Sequence, residues 1–286
     1  MKILHIVPGT SDISNGMVVV ANLIAKEQGE SEVVDLNQGQ IRICQKDINE
    51  IWVHGMWLPR EWLVCRGVLK AGKRLVRMTH GSLSPVYLEN QSKWRKRVVS
   101  PIEKWLLRLS DKVIVTCESE AEWVRAYEPE VKRVEIMDLK CFFNLPKDSV
   151  KRYPARNFLY LGREHPLKGI EYLKLATADL KRINLRVLSH AFGNELEEAW
   201  RWADVLVLPT LSENFGLVIA EALERGKRVI TTDGAPAWNH EIHETHEKGV
   251  WSGYGGRLIY LNGYRDGTRD ERVRLLKDAI GSVLRG

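Results

Sequence analysis

The stretch LPTLSENFGLVIAEAL, residues 208–223, follows the apolar run VLV, places Glu213 at the edge of a turn and buries Glu221 in an otherwise apolar segment. VLVLP reads as a strand, residues 212–214 as a turn, and the remainder as a helix that is apolar on nearly every side. A helix enclosed by protein aims its unbonded first N–H groups at whatever lies above the strand end, which makes that place an anion site. An ionised glutamate among Leu217, Val218, Ile219, Ala220, Ala222 and Leu223 is costly unless it accepts good hydrogen bonds. Paired ribose hydroxyls would supply them. A neighbouring Lys or Arg capping Glu221, with Glu213 simply exposed, would account for the same residues. Eight residues of helix separate the two carboxylates by at most ~12 Å, about the span of a nucleoside diphosphate sugar.

Working outward, short apolar strands alternate with helical patterns: KILHIV, a helix over 17–28, EVVDL, IWVHG, KRLVRMTH, a long helix over 93–109, and KVIVTC. This spacing implies crossover helices and a mostly parallel sheet. After RVEIMD the pattern breaks at Pro146, Lys147, Asp148 and Pro154, and then restarts with NFLYLG, LRVLSH, VLVLP and RVITTD before a final helix over 270–284. Two tandem α/β domains, over 1–150 and 151–286, account for the alternation, and a chain of 286 residues exceeds what one hydrophobic core usually serves.

With 44% apolar and 28% charged residues the chain is that of a folded protein without repeats or low-complexity tracts. Cys44, Cys65, Cys117 and Cys141 have neither CxxC nor CxxxH spacing, which argues against zinc or a disulfide framework and for a reducing cytoplasm. MKILHIVPGTSD is cut by Pro8 and Gly9 too early for a signal segment, and nothing approaches the ~18 apolar residues of a membrane span. The formal net charge of +6 suits an anionic partner. No nucleic-acid-binding pattern accompanies it, so nucleic acid is not expected.

Open parallel sheets bind ligands beyond the carboxyl ends of their strands. The first strand leads into PGTSDISNG, whose Gly9 and Gly16 would let backbone approach a ligand, although an ordinary turn has the same composition and the GxGxxG spacing is absent. His54 and His80 each close a strand and precede glycine, where imidazole can donate a hydrogen bond to a hydroxyl or phosphate or serve only the fold. NFLYLGREHPLKG places Arg163 and Lys168 on one loop. Two cations beside a glycine suit a diphosphate leaving group, and equally a solvated basic turn.

ExxxxxxxE in the setting ENFGLVIAEAL, followed by GKRVITTDGAP, resembles the donor motif of the retaining glycosyltransferases of family 4, which have the GT-B fold. PG…NG, IWVHG, THG, GREHPLKG, ADVLVLPTLSENFG and WSGYGG extend the resemblance over nearly the whole chain. The resemblance implies two Rossmann-like domains with parallel sheets facing a cleft, the first on the acceptor side and the second binding the donor, as in bacterial surface-polysaccharide and lipopolysaccharide glycosyltransferases. It implies that Arg163 and Lys168 hold the donor diphosphate and Glu213 the transferred sugar. Asn214, Phe215, Gly216 and Leu217 belong to the same donor loop, the last three offering backbone amides, and Glu221 grips the ribose. His80 would reach the donor sugar across the cleft, and Gly16 would face phosphate and acceptor.

One departure stands out: between GREHPLKGIEYL and WADVLVLP the family usually has two strand units, whereas only LRVLSHAFG is present, so the C-terminal domain is expected to be short. The implied reaction is transfer with retention from a nucleoside diphosphate sugar, with UDP as the expected nucleotide, to a glycan or lipid-linked glycan. No DxD motif occurs, no cofactor is expected, and charge on the leaving group falls to Arg163, Lys168 and the helix N-terminus. A noncatalytic sugar-nucleotide-binding partner subunit and a GT-B nucleotide-sugar epimerase are the alternatives. The segment 93–112, with Lys93, Arg95, Lys96, Arg97, Lys104, Arg108 and Lys112 against Glu103 and Asp111 and with Trp94 and Trp105 interleaved, suits an anionic bilayer or a solvated helix face. The protein is expected to be cytoplasmic and peripheral on the inner face of the cytoplasmic membrane.

Overall fold

The computed structural model describes residues 2–9, 16–37, 41, 43–90, 92–146, 154–180, 182–189, 191–241, 249–254 and 257–285. The chain forms two compact units, 1–139 and 140–286. The boundary expected at 150/151 lies outside the described residues.

In the first unit, strands β1 (Lys2–Val7), β2 (Ser31–Asp35), β3 (Ile48–His54), β4 (Arg74–Met78), β5 (Lys112–Val115) and β6 (Val134–Ile136) form one parallel sheet in the order β2-β1-β3-β4-β5-β6. The connecting helices are α1 (Gly16–Glu27), α2 (Pro59–Lys70), α3 (Pro85–Asn90), α4 (Lys93–Leu109) and α5 (Glu118–Tyr127). Helices on both faces explain why β3 and β4 are nearly continuous runs of buried residues rather than alternating ones.

The second unit repeats the plan. Strands β7 (Asn157–Leu161), β8 (Asn184–Leu188), β9 (Val205–Val207), β10 (Arg228–Thr232), β11 (Gly249–Gly253) and β12 (Leu258–Asn262) are ordered β11-β12-β10-β9-β7-β8. Among the described residues only β11 runs antiparallel, and it pairs with β12 at the edge. Helices α6 (Ile170–Thr177), α7 (Gly193–Trp202), α8 (Leu217–Glu224) and α9 (Arg269–Arg285) complete it. One strand-helix unit, β8 and α7, stands between α6 and β9, as LRVLSHAFG suggests. β11 and β12 extend the sheet beyond the four strands read from the sequence of this unit.

Both sheets are doubly wound. The strand order reverses between β1 and β3 in the first and between β7 and β9 in the second. At such reversals the loops leave in opposite directions and open a crevice above the carboxyl ends, which is where a ligand fits. Among the described residues no helix is long and apolar enough to cross a membrane.

Candidate functional site

In the second unit the reversal is flanked by the loop after β7 and the loop after β9. The first turns at Gly162 and passes through Arg163, whose carbonyl accepts a hydrogen bond from the Tyr160 hydroxyl at 3.2 Å. It then makes a short 3-10 turn over Pro166–Lys168, capped by the imidazole of His165, which accepts from the Leu167 N–H at 3.2 Å. Gly169 ends the turn with φ +66°, and a Cβ there would stand 2.0 Å from the Pro209 carbonyl oxygen. Glycine is therefore required both by backbone conformation and by the closeness of the neighbouring loop.

The loop after β9 is bound to the first by several hydrogen bonds. The Leu211 N–H and the Thr210 hydroxyl donate to the Leu167 carbonyl at 2.7 and 3.0 Å. The Glu213 N–H donates to the Gly234 carbonyl at 2.7 Å, and the Thr232 hydroxyl donates to the Thr210 carbonyl, so the loop after β10 supports the other side. Phe215 is buried and packs on Trp238 and Phe143 at ring-centre distances of 5.2 and 6.1 Å, while the Trp238 indole N–H donates to the Phe215 carbonyl at 2.5 Å. Gly216, at φ +72°, turns the chain directly into α8. Rigid loops of this kind fix the direction in which the first N–H groups of α8 point.

Lys168 and Glu213 meet across the reversal, Nζ to Oε2 at 2.5 Å, and both side chains are largely but not wholly covered. The pair puts an ammonium and a carboxylate at the mouth of the crevice, where a polar ligand can exchange with either. Arg163 is exposed and its guanidinium makes no hydrogen bond to a described residue. Asn214 and Leu217 are half-buried at the same loop and helix start.

Glu221 occupies the second turn of α8 and is half-buried. The nearby cation makes no hydrogen bond to its carboxylate: Arg225 donates to the Glu221 backbone carbonyl at 3.4 Å and to Glu197 at 3.1 Å, and lies 5.3 Å over the Trp200 ring. Burial holds the Glu221 carboxyl above its ordinary pKa; Arg225 opposes the shift, and Glu224 and Glu197 add to it. A half-desolvated carboxylate without a hydrogen-bond donor among the described residues is open to a ligand with hydroxyl groups. The structure thus brings together Lys168, Glu213, Asn214, Phe215, Gly216 and Leu217, with Arg163 on the adjoining loop and Glu221 one turn further on.

In the first unit Gly16 opens α1, and most of the preceding loop lies outside the described residues; in the second unit WSGYGG is not simply a turn, since its first three residues belong to β11, and Gly255 and Gly256 lie outside the described residues. His80 follows β4 with φ +49°, a left-handed conformation that is strained for any residue but glycine. Two contacts hold it there. Glu120, buried at the start of α5, accepts from the Thr79 hydroxyl at 2.7 Å and the Gly81 N–H at 2.5 Å, and from the Thr116 N–H and hydroxyl at 2.7 and 3.0 Å. The His80 ring itself bonds to His54 at 2.9 Å. The sequence alone does not single out Glu120 and His5, which look like a solvated helix residue and a strand-core residue; their contacts with Thr79 and Gly81 and with His54 exist only once β1, β3, β4 and β5 are adjacent.

The basic segment is less uniform than its sequence implied. Arg108 pairs with Glu128 and Glu130, Lys112 with Glu135 and Glu50, and Glu103 is buried against Arg77. The side chains of Lys93, Trp94, Arg95 and Lys96 lie outside the described residues. Val98, Ile102 and Trp105 are exposed along one row of α4. Among the described residues no group of three or more His, Cys, Asp or Glu side chains is placed to hold a metal ion.

Residues 149–254 match the family described as glycosyl transferases group 1, and residues 45–138 match a glycosyl transferase 4-like domain. No curated protein sequence matches the chain. Among solved structures, a sucrose-phosphate synthase from Thermosynechococcus elongatus superposes with a TM-score of 0.66 at 16% identity, over 99% of this chain and 90% of that one. Anabaena HepE in complex with UDP-glucose gives 0.64 at 16% identity, over 99% and 90%. The lipopolysaccharide outer core galactosyltransferase WaaB gives 0.59 at 14%, over 99% and 91%. At these identities the likeness establishes the fold, and the two domain matches, one in each α/β unit, establish the class. The chain has the GT-B fold and carries a glycosyltransferase-family domain in each of its two units.

Proposed function

We propose that the protein transfers a glycosyl group, with retention and without a metal ion, from a nucleoside diphosphate sugar to a glycan or lipid-linked glycan. The observation that carries this reading is the second unit's strand reversal. There an ammonium, a carboxylate and the start of α8 converge, with the Glu221 carboxylate, which has no hydrogen-bond donor among the described residues, one turn away. Lys168 and Arg163 take the diphosphate, Glu213 a hydroxyl of the transferred sugar, the amides of residues 215–217 the phosphate oxygens, and Glu221 the ribose. His80 in the first unit, close to the strand reversal beside which Gly16 begins α1, meets a substrate hydroxyl. The UDP and UDP-glucose complexes of Anabaena HepE support uridine as the base.

In the proposed reaction the bond from the anomeric carbon to the diphosphate oxygen breaks as the acceptor oxygen bonds to the same face. The acceptor proton passes to the leaving oxygen, so nucleoside diphosphate and glycoside are the products. Lys168, Arg163 and the helix N-terminus stabilise the charge on the leaving diphosphate, the role a divalent cation has in other transferases. The exposed apolar row of α4 beside Arg97 favours an acceptor presented on an anionic lipid surface.

A noncatalytic partner subunit is the second reading, favoured by the single strand-helix unit between α6 and β9. The deciding experiment incubates purified protein with UDP-, GDP- and ADP-sugars, with and without lipid-linked acceptor and with EDTA. Acceptor-dependent release of UDP that survives EDTA is expected. Tight UDP-sugar binding with no release under any condition supports the partner subunit, and a strict requirement for Mg²⁺ or Mn²⁺ overturns the leaving-group assignment.

A further inference from the structure

Three imidazoles form a row that leads from within the first sheet to its carboxyl edge. His5 lies in β1, His54 ends β3 and His80 follows β4, and these three strands are neighbours. The Nε2 of His5 is 2.8 Å from Oε1 of Gln28, which sits just beyond α1. The Nδ1 of His5 is 3.0 Å from Nε2 of His54, and Nδ1 of His54 is 2.9 Å from Nε2 of His80. His5 and His54 are fully buried. The Nδ1 of His80 makes no hydrogen bond to a described residue, so one end of the row terminates at a half-exposed amide and the other at an unused nitrogen.

Burial pushes His5 down to about 4 and His80 down to about 3, and it holds His54 well below the usual imidazole range, with His80 and His5 adding to that shift. All three rings are therefore neutral near pH 7, and a neutral imidazole donates from one nitrogen and accepts at the other. With three linked contacts the row has only two complete proton arrangements. In one, every ring N–H points toward Gln28, and His80 is left with a bare lone pair on Nδ1. In the other, every N–H points away from Gln28, and His80 carries its proton on Nδ1.

The orientation of the Gln28 amide matches one of them. Its Oε1 faces His5 and can only accept, so His5 donates from Nε2, His54 donates from Nε2 to His5, and His80 donates from Nε2 to His54. We propose that Gln28, acting through His5 and His54 as positioning residues, holds His80 in the Nε2–H tautomer, so that its Nδ1 accepts a hydrogen bond from a substrate hydroxyl. The same tautomer has no N–H to offer a phosphate oxygen at that nitrogen, so the row discriminates between the two kinds of oxygen. This rests on the reading of His80 as a substrate-facing residue. The left-handed backbone at His80 and the four hydrogen bonds to Glu120 set the direction of the ring, and the imidazole row sets which nitrogen carries the proton.

The test is nitrogen NMR of the ¹⁵N-histidine-labelled full chain, with the His80 signals assigned through His80→Gln, together with transfer kinetics on UDP-sugar. The wild type is expected to show a protonated Nε2 and a bare Nδ1 on His80. Gln28→Lys, whose ammonium only donates, is expected to reverse all three tautomers and to lower kcat about tenfold, as the loss of one hydrogen bond in the transition state requires, with a smaller change in KM. Gln28→Leu, which neither donates nor accepts, is expected to give both tautomers and an intermediate rate, with a lowered melting temperature because the buried Nε2 of His5 loses its partner. A protonated Nδ1 on wild-type His80, or the same His80 tautomer in all three proteins, overturns the relay. A reversed tautomer at full turnover overturns its link to substrate. Full turnover by His80→Ala refutes the substrate-facing reading separately, because the spectra of the Gln28 variants still decide whether the relay exists.

Discussion

Lys168 and Glu213 form an ion pair at 2.5 Å that spans the strand reversal of the second sheet and joins the two loops most exposed to a ligand there. The pair leaves each group only half available. A diphosphate that claims Lys168 must release Glu213, and the freed carboxylate is then next to the sugar that the diphosphate carries. Binding and positioning are coupled through one exchange of partners.

That coupling separates the two residues in a binding experiment. Lys168→Ala is expected to weaken UDP about tenfold or more, since a charge-assisted contact is lost. Glu213→Gln removes the competitor for Lys168, so UDP should bind as tightly as to the wild type or more tightly, while turnover falls at least about tenfold because the transferred sugar loses its carboxylate. Calorimetry with UDP on both variants checks this. Equal weakening by the two substitutions contradicts the exchange.

Glu221 behaves differently because no hydrogen-bond donor among the described residues competes for its carboxylate. Its loss in Glu221→Gln is expected to weaken UDP and UDP-sugar alike by ~1.5–3 kcal/mol. Burial raises its pKa, so the ionised form that accepts from ribose hydroxyls becomes populated only as pH rises, and affinity for UDP should climb with pH through that raised value. The sign for stability is the reverse, since the folded state holds this proton more tightly than the unfolded chain does and stability falls as pH rises. Titrations across pH 4 to 8 should show the climb in wild type and its absence in Glu221→Gln.

Residues 208–223 are legible in the sequence because their chemistry is local. A strand, a turn with Glu213, a left-handed Gly216 and an apolar helix with one acid occupy consecutive positions, and the observed elements follow that order. The helices expected over 93–109 and 270–284 match α4 and α9 for the same reason. Features assembled from distant segments were not legible. The Lys168–Glu213 pair, 45 residues apart, and the His5–His54 contact, 49 apart, exist because the strand order reverses, and no local pattern encodes that. LIYLN does not stand out as a strand in the sequence, because the residues before β12 are glycine-rich and form the edge strand β11 in place of an amphipathic helix.

A second pH dependence should come from the core of the first unit. Glu61 is almost wholly buried near Arg77 and Glu103, and burial pushes its carboxyl up to about 7, against the opposing pull of Arg77 and of the Leu58 N–H. A carboxyl held above its unfolded value contributes stability that is fully present below about 4.5 and is lost as pH rises through about 7. Relative to Glu61→Gln, the wild type should therefore lose up to about 3 kcal/mol between pH 4.5 and 8. Denaturant unfolding of both proteins at each end of that range is the check, and parallel pH profiles would show that Glu61 is not the group responsible.

Gly169 tests how tightly the two loops must pack. A methyl group there would meet the Pro209 carbonyl oxygen at 2.0 Å in a left-handed backbone, so Gly169→Ala should cost more than about 2 kcal/mol and, by displacing Lys168, lower turnover even where the fold survives. Gly72→Ala provides the contrast. Gly72 has φ +63° with no atom within 4 Å of its added Cβ, and its replacement should cost only about 1 kcal/mol of backbone strain and leave turnover unchanged. Similar losses at both positions would mean that backbone strain alone, and not the Pro209 contact, sets the cost.

The remaining prediction concerns the surface of α4. Val98, Ile102 and Trp105 recur at helical spacing on its outward side, Trp105 is 46% exposed, and Leu63 of α2 is 68% exposed. Glu103, the one acid within this helix, is turned inward to Arg77, so it does not neutralise the exposed basic residue Arg97. Indole and aliphatic groups beside a cation suit the headgroup region of an anionic bilayer, where each buried apolar side chain and each basic residue adds on the order of 1 kcal/mol. Sedimentation with vesicles at low salt should therefore be stronger for anionic than for neutral lipid and should fall with added salt. Trp105→Ala combined with Val98→Ser should weaken it severalfold without lowering the melting temperature, because neither side chain is part of the core. Equal sedimentation with the two lipid compositions, or wild-type binding by the double variant, would leave α4 as a solvated helix and place the lipid-linked acceptor elsewhere.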